Sequence, residues 1–225
     1  MKLLLFDIDG TLMMSKGAGR IATKRAIQEV FGTLGQIDSV GFGGLTDWQI
    51  VAEALASEGF SLEDIGARMD VYAQALARHM AEVLPQHEVH ALPGALALVA
   101  ECVCRSDLIV GLVTGNTALS APIKLRAAGF NPSDFVVAAY GSEAHDRNQL
   151  PFLALERAER LTGRHILASD VLVIGDTLAD LRCAQALGAR SVIVLTGFED
   201  PDALRQAQPD FLIPDLTHFW DAVRL

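Results

Sequence analysis

The sequence predicts an α/β protein, a parallel sheet covered by helices on both faces, with a small all-α domain inserted after the first strand. Short apolar runs rich in β-branched residues recur through the 225 residues, and helical patterns stand between most of them. The rhythm breaks once: from Leu12 to Pro93 there is no convincing strand but there are three helical stretches. Because βα connections are usually short, so long a block reads as an inserted domain.

Taken in order, the expected strands are Leu3 to Ile8, Leu108 to Val113, Phe135 to Tyr140, Val171 to Ile174, Ser191 to Leu195 and Phe211 to Ile213. Runs that are apolar at nearly every position suit strands buried on both faces. The helices expected between them are Ala95 to Arg105, Ala118 to Ala128, Phe152 to Leu161 and Leu178 to Leu187; Gly129, Gly163 and Gly188 stand at the ends of the last three. Inside the insert the helices are Arg20 to Phe31, Asp47 to Glu58 and Leu62 to Leu84, the last two parted by "EGFS". Gly17 and Gly19 on one side, and "PQHEVHALPG" from Pro85 to Gly94 on the other, have the composition of joining segments. The expected domains are therefore a core of residues 1–15 and 93–225 and a helical domain of residues 16–92, which would close over the core as a hinged lid.

Composition narrows the function. A hydrophobic content of 51% suits a folded chain with a large core, and a formal net charge of −10 without a local Lys/Arg cluster argues against nucleic acid as a ligand. The apolar run at the N-terminus is cut by Asp7, too early for a signal peptide, and no stretch suits a bilayer span. The three cysteines show no metal-like grouping and suit a reducing compartment; Cys102 and Cys104, two apart on a helix, point to different faces. A cytoplasmic protein without a membrane partner is expected.

Ligands of open α/β sheets bind beyond the carboxyl ends of the strands. There the chain carries "DIDGT" (Asp7 to Thr11), "VTGN" (Val113 to Asn116), "YGSEAHDRNQ" (Tyr140 to Gln149) and "GDTLAD" (Gly175 to Asp180). Asp7 and Asp9, two apart on an extended segment, project to one side while Ile8 points away. Asp176 would bring a third negative charge to the same edge. Such crowding raises carboxylate pKa values unless a cation offsets it, and a hard divalent ion with oxygen ligands, Mg2+ first, answers the need. Singly, each acid also fits an ordinary strand exit or helix cap.

Together the four segments resemble the haloacid dehalogenase-like (HAD) superfamily of phosphotransferases, in its branch similar to phosphoglycolate phosphatases. The resemblance implies a Rossmann-like core with a helical cap and a Mg2+-dependent hydrolase of a small phosphomonoester. It implies Asp7 as nucleophile, Asp9 as general acid and base, and a Mg2+ site made of the Asp7 side chain, the Asp9 carbonyl and Asp176, with Asp180 acting through metal-bound water. Thr114 and the backbone N–H groups of Gly115 and Asn116 would bind phosphate. Arg147 stands where the family more often has Lys, and a guanidinium can still bridge nucleophile and phosphate; Lys124 is the alternative cation. In the insert, "GGLTDWQI" offers Thr46 and Asp47 as specificity residues or as a helix cap, two compatible readings, with Trp48 as lid core. The expected partner is a small phosphorylated metabolite, and the chain a monomer or homodimer. A sugar-phosphate mutase would use the same residues; a phospho-Asp receiver domain would lack both Asp9 and the insert.

Overall fold

Residues 1–224 are described in a computed structural model. The strands are β1 (Lys2–Phe6), β2 (Met13–Met14), β3 (His90–Ala91), β4 (Leu108–Thr114), β5 (Val137–Tyr140), β6 (Val171–Gly175), β7 (Arg190–Val194) and β8 (Phe211–Ile213). The helices are α1 (Ala18–Phe31), α2 (Asp47–Ala54), α3 (Leu62–Gly66), α4 (Met69–Val83), α5 (Ala95–Val103), α6 (Ala121–Ala127), α7 (Leu150–Thr162), α8 (Leu178–Leu187), α9 (Pro201–Gln206) and α10 (Phe219–Ala222).

Six strands form one sheet in the order β5-β4-β1-β6-β7-β8, with every pairing parallel. Alternation along β1 explains the two covered faces. Leu4 and Phe6 point into a core shared with Leu98 and Val99 of α5, Leu125 of α6 and Phe219 of α10. Leu3 and Leu5 point the other way, toward Leu150, Ala154 and Ala158 of α7. A sheet buried on both sides needs apolar residues at successive positions, and all seven residues of β4 are buried. The chain runs from β1 outward to β4 and β5 and then returns to the other side of β1 at β6. The boundary between β1 and β6 is thus the topological switch point, where connections leave in opposite directions and open a crevice.

The helices α1 to α4 have a core of their own. Ala18, Ala22 and Ala26 place small side chains along one face of α1, and Ile27 and Phe31 extend the buried stripe toward Tyr72, Leu76 and Met80 of α4. The expected single helix from Leu62 to Leu84 is broken after Gly66, where the Trp48 ring packs so closely that a Cβ would lie 2.8 Å from it. The second helix stops at Ala54 rather than Glu58, because the Ala54 carbonyl accepts the Gln36 N–H at 2.8 Å.

The two joining segments contain strands. Met13 pairs with Ala91 and Met14 with His90 in an antiparallel ribbon, and the Leu92 N–H donates to Leu12 O at 2.9 Å. An ion pair between Lys16 and Glu88 lies just beyond it. Two residues per strand are too few for any periodicity, so the ribbon left no pattern in the sequence. Cys102 is buried and Cys104 exposed.

Candidate active site

The acids meet at the switch point. Asp7 directly follows β1; its N–H donates to Ile174 O at 2.8 Å, extending the sheet register, and its side chain is almost fully buried. Ile8 is buried in the core on the α5 face. Asp176 directly follows β6, and its carboxylate accepts the Thr11 hydroxyl at 3.0 Å. Two close approaches fix its place: a Cβ at Gly10 (φ +84°) or at Gly197 would overlap the Asp176 carboxylate.

Asp180 stands one turn into α8, fully buried. One of its oxygens accepts the N–H groups of Asp176 (3.2 Å) and Thr177 (3.1 Å) and the Thr177 hydroxyl (2.7 Å), while Thr177 caps the Asp180 N–H in return. The other oxygen accepts the Arg147 guanidinium at 2.5 Å. The "GDTLAD" spacing is thereby explained as a capping box whose carboxylate also braces the loop that carries Asp176.

Arg147 is itself buried, 3.2 Å from Asp7 and 2.5 Å from Asp180. Lys124 is not a substitute for it but a second cation with a different partner: its ammonium donates to Asp9 at 2.7 Å and to Asn116 Oδ1 at 2.7 Å. The Asp9 side chain is the open one of the set, 41% exposed, and also accepts Asn116 Nδ2 at 2.8 Å. Thr114 ends β4, fully buried, with its hydroxyl accepting Asn116 Nδ2 at 2.8 Å. Sequence spacing offered Lys124 only as an alternative cation, because the approach of α6 to Asp9 is a tertiary fact.

Oxygen atoms of Asp7, Asp176 and Asp180 lie within 4.8 Å of one another. Against these three acids stands one buried cation. Burial, opposed in part by Arg147, pushes the Asp7 carboxyl up to about 7. Burial and the neighbouring carboxylates push Asp176 upward as well. An all-oxygen, electron-rich and under-neutralised donor set fits a hard divalent cation.

Thr46 and Asp47 occupy the start of α2. Thr46 is its N-cap, accepting the Gln49 N–H at 3.1 Å, and its hydroxyl donates to His145 O at 3.3 Å. The Asp47 N–H donates to Gly115 O at 2.7 Å, and its carboxylate accepts the Thr117 N–H at 2.8 Å and the Tyr72 hydroxyl at 3.4 Å. A Cβ at Gly115 would overlap the Leu45 carbonyl, so loop and core meet backbone to backbone. The cap reading thus describes Thr46, while Asp47 ties the helical insert to the core and lines the cavity described next. Trp48 packs in the helical core, edge-on to His145.

A cavity of about 450 Å3 separates the sheet edge from α1 and α4. Asp7, Asp9, Gly115, Asn116, Lys124 and Arg147 form its floor.

A family model described as HAD-hydrolase-like matches residues 151–219, from α7 to α10. The phosphoglycolate phosphatase of Vibrio vulnificus (strain YJ016) is 24% identical over 99% of this chain and 96% of its own length. The phosphoglycolate phosphatase of Synechococcus elongatus is 28% identical over 99% of this chain and 97% of its own. Among solved structures, a hydrolase from Pseudomonas syringae superimposes with a TM-score of 0.70 at 20% identity, covering all of both chains. The chain is thus similar in sequence to phosphoglycolate phosphatases over nearly its whole length, and residues 151–219 match the haloacid dehalogenase-like hydrolase family. Among the described residues no helix is long and apolar enough to cross a membrane.

Proposed function

We propose that this HAD-like chain is a Mg2+-dependent phosphatase that hydrolyses a small phosphomonoester through an aspartyl-phosphate on Asp7. The observation that carries the reading is the floor of the cavity, where a buried strand-end carboxylate faces the opening with a buried guanidinium 3.2 Å away. The Asp7 side chain, the Asp9 carbonyl and Asp176 would hold Mg2+, whose charge, when bound, offsets the repulsion between carboxylate and phosphate. Asp7 attacks phosphorus as the ester P–O bond breaks, and Asp9 gives its proton to the departing alkoxide. Water then attacks phosphorus, Asp9 takes up its proton, and phosphate leaves with Asp7 restored as a carboxylate. Arg147 holds the nucleophile and one phosphoryl oxygen, and Thr114 with the Gly115 and Asn116 amides takes the others. Asp180 acts by positioning Arg147 and the Asp176 loop. Asp9 suits its two tasks because it is the exposed carboxylate of the group, beside Lys124 and Asn116.

Residues 16–92 serve as the cap domain, anchored to the core through the Asp47 contacts, and the enzyme works in the cytoplasm on a phosphorylated metabolite. The relatives named above make phosphoglycolate the first substrate to assay. Phosphate release from phosphoglycolate, p-nitrophenyl phosphate and a panel of phosphomonoesters is to be measured with Mg2+ and with a chelator. Release that depends on Mg2+ and disappears in Asp7→Asn is expected. Isomerisation of a hexose phosphate without net release would replace this reading with that of a mutase.

A further inference from the structure

Four cations line the cavity: Lys16, Arg20, Lys124 and Arg147. Three of them are paired with carboxylates. Arg147 stands against Asp7 and Asp180, Lys124 against Asp9, and Lys16 against Glu88. Arg20, on α1, is different: its guanidinium donates to the carbonyls of Ile37 (3.1 Å) and Val40 (2.9 Å), both neutral, and among the described residues it forms no ion pair. Acids are not scarce in this chain, with 28 Asp and Glu against 18 Lys and Arg, so a half-buried guanidinium without one is set apart by its place.

The same contacts hold the group still. The two carbonyls belong to the turn of residues 37–40, and the guanidinium carbon lies 4.0 Å from the centre of the Phe42 ring. Neutral acceptors and a ring face position a cation without neutralising it. Only two of its N–H groups are used; the others, and the charge, remain for a ligand. Because the fork is ordered before a ligand arrives, little rotamer entropy is left to lose on binding. A tether from α1 to that turn needs donors alone, whereas an anion in the cavity accounts for the charge as well.

The rest of that side offers little else. Ile50, Leu76 and Met80 are 5%, 1% and 1% exposed, and so present almost no apolar surface. Asp47, the lining carboxylate outside the floor, is buried with its oxygens taken by Thr117 and Tyr72.

Resting on the phosphatase reading, we propose that Arg20 is the residue by which this chain recognises the far end of its substrate. That substrate is a phosphomonoester carrying a second anionic group, carboxylate or phosphate, which the guanidinium receives while the floor takes the phosphoryl group to be cleaved.

The test measures binding of non-hydrolysable phosphonates by calorimetry at saturating Mg2+, so that it does not depend on turnover. The charged probes are phosphonoacetate, 3-phosphonopropionate, 4-phosphonobutyrate and propane-1,3-diphosphonate; ethyl-, propyl- and butylphosphonate are the methyl-ended counterparts. At the length that spans the cavity, a charged end is expected to tighten Kd about tenfold or more over a methyl end, the worth of a hydrogen bond between charged groups. Comparing the carboxylates with the diphosphonate shows which anion the site takes. Arg20→Met is expected to abolish the gain and Arg20→Lys to keep part of it, whereas a residue that only braced the turn would weaken both kinds of probe alike. Should Arg20→Met not fold, the wild-type pairs and Arg20→Lys still decide. If no charged probe binds more tightly than its methyl-ended counterpart, or if the gain survives in Arg20→Met, the proposal is overturned.

Phosphate release from phosphoglycolate and ethyl phosphate, run alongside, separates the two ideas. A charged-end gain with neither ester hydrolysed upholds Arg20 and removes the phosphatase. Both esters hydrolysed alike, with no gain among the phosphonates, does the reverse.

Discussion

Asp47→Asn should stabilise the protein, and more so as the pH rises. Asp47 is almost fully buried where the helical insert meets the core. Burial pushes its pKa from 3.8 up to about 6, against the opposing pull of Lys124 and of the Thr117 N–H. The folded state therefore holds the Asp47 proton more tightly than the unfolded chain does. Below pH 4 both states are protonated and the group is neutral in its effect; between pH 4 and pH 6 stability is lost, and above pH 6 the loss is complete. A difference of about two pKa units corresponds to about 3 kcal/mol. Asn keeps the shape: its Oδ1 accepts the Thr117 N–H, and its amide can donate to the Tyr72 oxygen. The expected gain is about 1–3 kcal/mol at pH 8 and close to zero at pH 4. Urea unfolding of both proteins at pH 4, 6 and 8, without added metal, measures it. Using the difference between wild type and variant cancels the titration of sites that do not couple to Asp47. A variant less stable than wild type at pH 8, or a gap that does not widen with pH, would refute the argument.

Arg147→Met leaves three acids facing one another in a buried site; without Mg2+ it should lose about 3–5 kcal/mol of stability, and with Mg2+ recover much of it, as followed by thermal melts. Its kcat should fall by about 10^2–10^3 in a phosphate-release assay. Because Asp7 titrates near 7 and Asp176 is also shifted upward, a cation must displace protons. Mg2+ affinity should rise as the pH passes from 6 to 8 and then level off, with proton release visible by calorimetry in buffers of different ionisation enthalpy. Gly197→Ala, which pushes a Cβ into the Asp176 carboxylate, should cost about 10–100-fold in Mg2+ affinity in the same experiment.

The sheet was legible because its strands are short, mostly apolar runs bounded by turn residues, nearly unbroken in β1, β4 and β6, where both faces are buried. Leu178 to Leu187 was legible to the residue, with Gly188 marking its end, whereas its N-cap, Thr177, was not read from the sequence, where Asp176 was the candidate. Boundaries set by tertiary contact were not. The Trp48 ring packs against Gly66, where the helix breaks, and the end of α2 carries a hydrogen bond from Gln36; neither partner is near in sequence. The β2/β3 ribbon was hidden by its brevity. In the site, the clustering of Asp7, Asp176, Asp180 and Arg147 follows from strand ends that the parallel order brings together. The Lys124 to Asp9 pair and the anchoring by Asp47 depend on how α6 and α2 are placed, and local sequence does not encode that placement. For Asp47 the visible signal, a residue at a helix start, is true but incomplete, since the same carboxylate also caps a backbone N–H seventy positions away.

The most direct test of the account is acid-quenched mass spectrometry of the protein mixed with p-nitrophenyl phosphate and Mg2+. One phosphoryl group, labile to hydroxylamine and borne by the peptide that contains Asp7, is the result the account predicts. Phosphate release without any labelled peptide, or a label on a residue other than Asp7, would contradict it.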